Sequence, residues 1–179
     1  MAKKIIDERK ITKALNKKAQ GYAVVGLLEG DYAYLTNGAF AMMVSMDQIK
    51  KDGRLWKMVM SAVEFAGGRN LLVRENSDGS RKVVEQTEPF FKIFECKPEQ
   101  IMAAEHTGTE EKGGKVLDLV RLENDKVGGF DADLIAVIKE HRAMREGSFT
   151  GQLGPLHFAA HDDKTGEMLV KYVVLPVRM

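Results

Sequence analysis

The sequence predicts an α+β fold, an antiparallel sheet with helices on one face. Two observations carry that expectation. A helical pattern followed by short apolar strands recurs along the chain, and the strands are separated by turns rich in Gly, Asn and Asp. The pattern does not suggest a parallel nucleotide-binding sheet, and no phosphate-cradling glycine loop is present.

A first helix is expected over residues 7–20, with Ile11 and Leu15 on one face, Asp7 and Glu8 at its positive end, and Gly21 as its stop. Apolar runs at 22–28, 32–35 and 39–46, parted by turns at 29–31 and Asn37-Gly38, read as a meander. A second helix is expected over 54–66. Leu55, Trp56, Val59, Met60 and Val63 recur there at helical spacing, and Gly67-Gly68 closes it. Strands at 70–75 and 81–86 flank the turn-forming loop 76–80, and 89–95 reads as a further strand. The signal weakens after Cys96, and 108–114 reads as an exposed loop. A strand at 115–122 leads to a third helix over 131–145, capped by Asp131 or Asp133, with Leu134, Val137, Ile138 and His141 as its buried stripe. Strands near 149–153, 156–161 and 167–175 complete the pattern.

At 179 residues the chain suits one domain, or one domain with an insertion. Its 27 basic and 26 acidic side chains leave a net charge of +1, so local rather than global charge must select any anionic partner. Cys96 is the single cysteine, which excludes an internal disulfide. No apolar run approaches the ~20 residues of a bilayer span, and the N-terminus lacks a signal-peptide core. A cytoplasmic protein with no membrane partner is the expectation.

Residues 172–179, Tyr-Val-Val-Leu-Pro-Val-Arg-Met, are a β-branched strand running into a proline, which fits only a strand end or a sheet edge. Leu175, Pro176, Val177 and Met179, with Arg178 among them, form an apolar tail that is either packed down locally or is one wall of a groove. Upstream, Val116, Leu117, Asp118 and Leu119 are followed by Gly129, Phe130, Asp131, Leu134 and Ile138. A third stretch, 36–46, begins Thr36-Asn37-Gly38-Ala39-Phe40. Together these resemble the sliding-clamp family, the bacterial DNA polymerase III β subunit, chiefly its C-terminal domain. That domain has a Y-V-V-M-P-M-R-L tail and an I-L-D-V strand leading to G-F-N and an apolar helix, and the T-D-G-H-R-L-A strand of clamps belongs to the neighbouring domain. Asn37, Ala39 and Phe40 replace the family's Asp, His and Arg, and Leu175, Val177 and Met179 replace its Met, Met and Leu. The resemblance implies one clamp-like domain over 1–179 made of pseudo-symmetric half-units. Residues 50–106 would be an insertion or an alternative first half-unit.

The resemblance also implies two binding surfaces. Clamp helices present basic residues to DNA without reading its sequence, and Lys10, Lys13 and Lys17 form such a row here. Like charges spaced along a helix cost roughly 0.2–0.5 kcal/mol per pair, so the row is either a solvated face or one relieved by phosphate. On the third helix Lys139 and Arg142 are offset by neighbouring acids. The second surface is a peptide groove for replication or repair proteins, built from Thr36 and Gly38 with Leu175, Pro176, Val177, Arg178 and Met179. Because both halves lie in one chain, a working groove needs a neighbouring subunit. A ring of one-domain chains would close head to tail from about six copies. The other reading is a monomeric module that kept the fold and binds a peptide or small ligand. A metal-dependent enzyme centred on His157 and His161, with Asp162 and Asp163 beside them, is the third, but the pair lacks a clear third ligand and no catalytic motif occurs. The chain is therefore expected to be non-enzymatic, with no metal and no cofactor.

Overall fold

Asp7 begins the first helix by turning its carboxylate onto the backbone. Its Oδ1 accepts from the amides of Arg9 at 2.9 Å and Lys10 at 3.2 Å, the N-cap geometry that satisfies otherwise orphaned donors. The helix that follows is α1, Glu8–Asn16, which buries Ile11, Thr12, Ala14 and Leu15. The structure, a computed structural model, describes residues 5–16, 22–28, 31–69, 71–95, 104–122, 127–139, 146–148 and 155–177. Within these, the side chains at 22, 27, 28, 104, 122, 138, 139 and 146–148 lie outside the description. The chain divides into two compact units, Met1–Ile93 and Phe94–Met179.

In the first unit the expected meander forms as β1 (Tyr22–Leu28), β2 (Tyr32–Thr36) and β3 (Phe40–Ser45). The pairs Ala33↔Val44 and Leu35↔Met42 put four fully buried side chains on one face, and Tyr34↔Met43 falls on the other. After a short 3₁₀ turn, Met46–Gln48, comes α2, Arg54–Phe65. The amides of Gly67 and Gly68 return to the carbonyls of Glu64 and Val63, both at 2.9 Å, closing α2 with the double bond of a Schellman stop. Strands β4 (Leu72–Asn76) and β5 (Arg81–Val84) then complete a sheet of order β5-β4-β1-β2-β3, antiparallel throughout. The helix and hairpin at 54–84 thus belong to the first unit's sheet, with β4 bonded directly to β1.

Helix α2 packs on β1, β4 and α1 through Leu55, Val59 and Ala62. Met60, expected inside, is 39% exposed, while Trp56 and Val63 are half-buried. The stretch 89–95, expected to be a strand, instead holds a helix, α3, Glu88–Lys92. Pro89 sits in its first turn, where a missing N–H removes no helical bond, and the carbonyl of Thr87 accepts from Phe90 and Phe91. Their rings meet Tyr34 edge-on, at centroid distances of 6.3 and 5.2 Å. Since Tyr34 points away from the Leu35 face, α3 covers the side of the sheet opposite the buried layer shared with α1 and α2.

The second unit holds β6 (Ala104–Lys112), β7 (Lys115–Leu122) and β8 (Val127–Asp131) as one antiparallel sheet, and β9 (Glu146–Ser148), β10 (Leu156–His161) and β11 (Met168–Val174) paired in that order. Residues 108–112, read as loop, are strand. Only Gly113 and Gly114 turn, at φ of 57° and 73°, the doubly left-handed pair of a tight hairpin. Nearly all of 105–116 is exposed, so the ribbon has no apolar alternation to announce it. Asp131 caps α4, Ala132–Lys139, through Oδ1 to the amide of Asp133 at 3.0 Å. Leu134, Ile135 and Val137 are buried as α4 packs on β7, β8 and β11. The rest of the expected third helix, His141 included, and the strand expected at 149–153 lie outside the described residues. Past β11 the tail returns to this unit, the Val177 amide donating to the Gly129 carbonyl at 2.9 Å on β8.

Candidate functional site: a basic cleft between two helices

Helix α1 exposes Arg9, Lys13 and Asn16, which at four- and seven-residue offsets share one stripe. That stripe faces the start of α2. Glu8, Arg9, Thr12, Lys13 and Asn16 line, with Arg54, an open cleft of about 280 Å³. Three cations meet there, from two helices. The Thr12 hydroxyl is turned inward, donating to the Glu8 carbonyl at 2.7 Å.

Glu8 is the one acid in this wall, and it is already engaged. Its Oε1 accepts from the Lys50 amide. Its Oε2 lies 2.9 Å from where a Cβ on Gly53 would stand. Gly53 is the N-cap of α2, which has no side-chain cap of its own and no acid in its first turn. The Glu8 carboxylate thus serves the positive end of α2 from the neighbouring helix. Arg9, Lys13 and Arg54 are the cations of the cleft lining, of a charge suited to an oxyanion.

Of the expected lysine row, Lys13 lines the cleft, whereas Lys10 is half-exposed and outside its lining. Lys17 and Arg142 lie outside the described residues, as does the side chain of Lys139 at the end of α4. Arg9 and Arg54 were not among the expected site residues. The Arg9–Lys13 spacing was readable, but the approach of Arg54 is a tertiary fact with no local signal. Beside the cleft a second hollow of about 200 Å³ has a mixed lining, with Leu15, Val25, Met58 and Val73 beside Asn16, Glu75 and Asn76. On its rim Arg81 bonds Glu75 at 2.7 Å and the Ser61 hydroxyl at 2.8 Å.

Thr36 and Gly38 build a turn. The Thr36 hydroxyl donates to the Phe40 carbonyl at 2.7 Å and accepts from the Gly38 amide at 3.0 Å. Between them Asn37 is fully buried, its Nδ2 donating to the Ala14 carbonyl of α1 at 2.7 Å. Its Oδ1 accepts from the amides of Ala39 and Phe40 at 3.0 and 2.8 Å. The Phe40 ring lies in the core. In the second unit Leu175 is 41% exposed, and Pro176 and Val177 are half-buried where the tail returns to β8. Arg178 and Met179 lie outside the described residues.

His157 is buried on β10 with Nδ1 lacking a hydrogen-bond partner. Burial first, and then the Lys171 charge, push its pKa down to about 4. His161 is exposed. Asp162 Oδ1 is committed to the amides of Lys164 and Thr165, both at 2.9 Å, and those bonds hold its carboxyl below the ordinary value. No group of three or more His, Cys, Asp or Glu able to hold a metal occurs among the described residues, so the metal reading of His157 and His161 finds no ligand set there. No described helix is long and apolar enough to cross a membrane. Compared with known proteins, the chain matches no protein-family model and no curated protein.

Proposed function

We propose that this is a non-enzymatic, sliding-clamp-like protein that holds DNA by its phosphate backbone and assembles with copies of itself. The observation that carries the reading is the cleft, where Arg9, Lys13 and Arg54 from two helices line one wall and the only acid is occupied at a helix end. Cations on two helices suit contacts that position a duplex by its phosphates. The α+β architecture and the three clamp-like stretches of sequence are in keeping with it. Enclosure by a ring would add to weak phosphate contacts rather than replace them.

The direct test is retention of labelled duplexes of unrelated sequence at low salt. The intact protein is expected to hold them equally, and a variant carrying Arg9→Ala, Lys13→Ala and Arg54→Ala is expected to release them. No retention at about 50 mM salt, where phosphate contacts are strong, or equal retention by the triple variant, contradicts the reading.

A second reading is a monomeric module that binds a peptide. The hollow beside the cleft, where Leu15, Met58 and Val73 lie among Asn76, Glu75, Arg54 and Arg81, favours it. A protein that stays monomeric and ignores DNA would leave this reading standing and remove the first.

A further inference from the structure

Helix α2 carries more apolar residues than its own unit uses. Leu55, Val59 and Ala62 are buried. Trp56, Met60 and Val63, at i, i+4 and i+7, run along another side of the helix, where Met60 is 39% exposed and the other two are half-exposed. Exposed Lys57 and Glu64 flank this stripe on one side, a full heptad apart. Together these positions have the spacing of a coiled-coil seam, with Met60 at one core position, Trp56 and Val63 at the other, and Lys57 and Glu64 beside them.

We propose that this seam is a self-association surface whose occupant is α2 of a second copy, packed antiparallel about a two-fold axis beside Met60. That symmetry sets Lys57 of each copy opposite Glu64 of the other, twice over. Trp56 meets Val63, and Met60 meets its own counterpart. A parallel pair would instead set Glu64 against Val59, which is buried in its own unit and unable to answer a charge. The charge pattern therefore selects both the partner and its direction.

This contact is isologous, so it closes at a dimer and is distinct from head-to-tail ring closure. Three helical turns cover less than the roughly 800 Å² per partner of a standard interface, so the dimer is weak and depends on concentration. The inference stands on the α2 surface alone and not on DNA binding.

Sedimentation of the full chain across a concentration series tests it. Dimerisation is expected, weakened about tenfold by Lys57→Glu or by Glu64→Lys alone and restored when both are combined, since the double reversal rebuilds the pair with its signs exchanged. All of these side chains are exposed, and circular dichroism verifies that the variants fold. In a Cys96→Ser background, Met60→Cys is expected to form a disulfide between copies under mild oxidation. A protein monomeric at every concentration, a double variant no better than the singles, or no cross-link through position 60 overturns the proposal. If the protein binds no DNA yet dimerises with this pattern, the inference stands and only the function proposed above falls.

Discussion

Asn37 shows how a motif can be read correctly as a motif and incompletely as chemistry. The sequence marks Thr36-Asn37-Gly38 as a turn between strands, because Asn and Gly tolerate the conformations a turn needs. The bond from its Nδ2 to Ala14 belongs to the packing of α1 on the meander and has no local signature. Asn37→Ala removes that bond and two more from a fully buried position, and is expected to cost about 3 kcal/mol in urea unfolding. Asn37→Asp keeps the acceptor but sets an oxygen against the Ala14 carbonyl, so it too should destabilise, and more at neutral than at acid pH. His157 makes a second prediction at this scale. Its folded pKa, about 4, lies below the ordinary 6.5, so the unfolded chain takes up the proton first. The stability it contributes is complete above pH 6.5 and is lost as pH falls from 6.5 towards 4. Melting temperature should fall across that window, and His157→Leu should flatten this part of the profile. Asp162, whose pKa lies below the ordinary 3.8, contributes stability above that value that is lost at still lower pH.

Among the elements, those with a buried face were legible. The stripes of α1 and α2 and the apolar runs of β2 and β3 announce themselves, because one-sided burial writes a helical period into the sequence and burial on both faces writes an unbroken apolar strand. The distal half of β6 did not, since it is exposed on both sides and its pairing with β7 is set by the Gly113-Gly114 turn. Helix α3 was misread for a different reason. Pro89-Phe90-Phe91 resembles a short apolar strand until the Thr87 carbonyl and the Tyr34 ring are in place. The junction of α1 with α2 supplies the prediction for this scale. A Cβ at Gly53 would stand 2.8 Å from the Lys50 carbonyl and 2.9 Å from Glu8 Oε2. Gly53→Ala should therefore lower the denaturation midpoint, by about 1–3 kcal/mol. Glu8→Ala should also destabilise, and the double variant should lose less than the sum, because removing Glu8 relieves one of the two contacts. Strict additivity would mean that Glu8 does not reach the end of α2.

For the whole molecule, the sequence conveys an α+β chain of antiparallel strands and one lysine that lines the cleft, Lys13. It does not convey Arg9 and Arg54 as that lysine's companions, because helix-to-helix approach is a property of packing. Nor does it show which face of α2 is left over once its sheet is covered, on which the proposed dimer depends. The claim at the centre of the account is that phosphate is held by these three cations. It is tested most directly by the salt dependence of duplex binding, followed by fluorescence anisotropy, for the intact protein and for the Arg9→Ala, Lys13→Ala, Arg54→Ala variant. If each cation neutralises one phosphate, the log–log slope should be shallower in the variant by about 2.7. An unchanged slope would contradict the account.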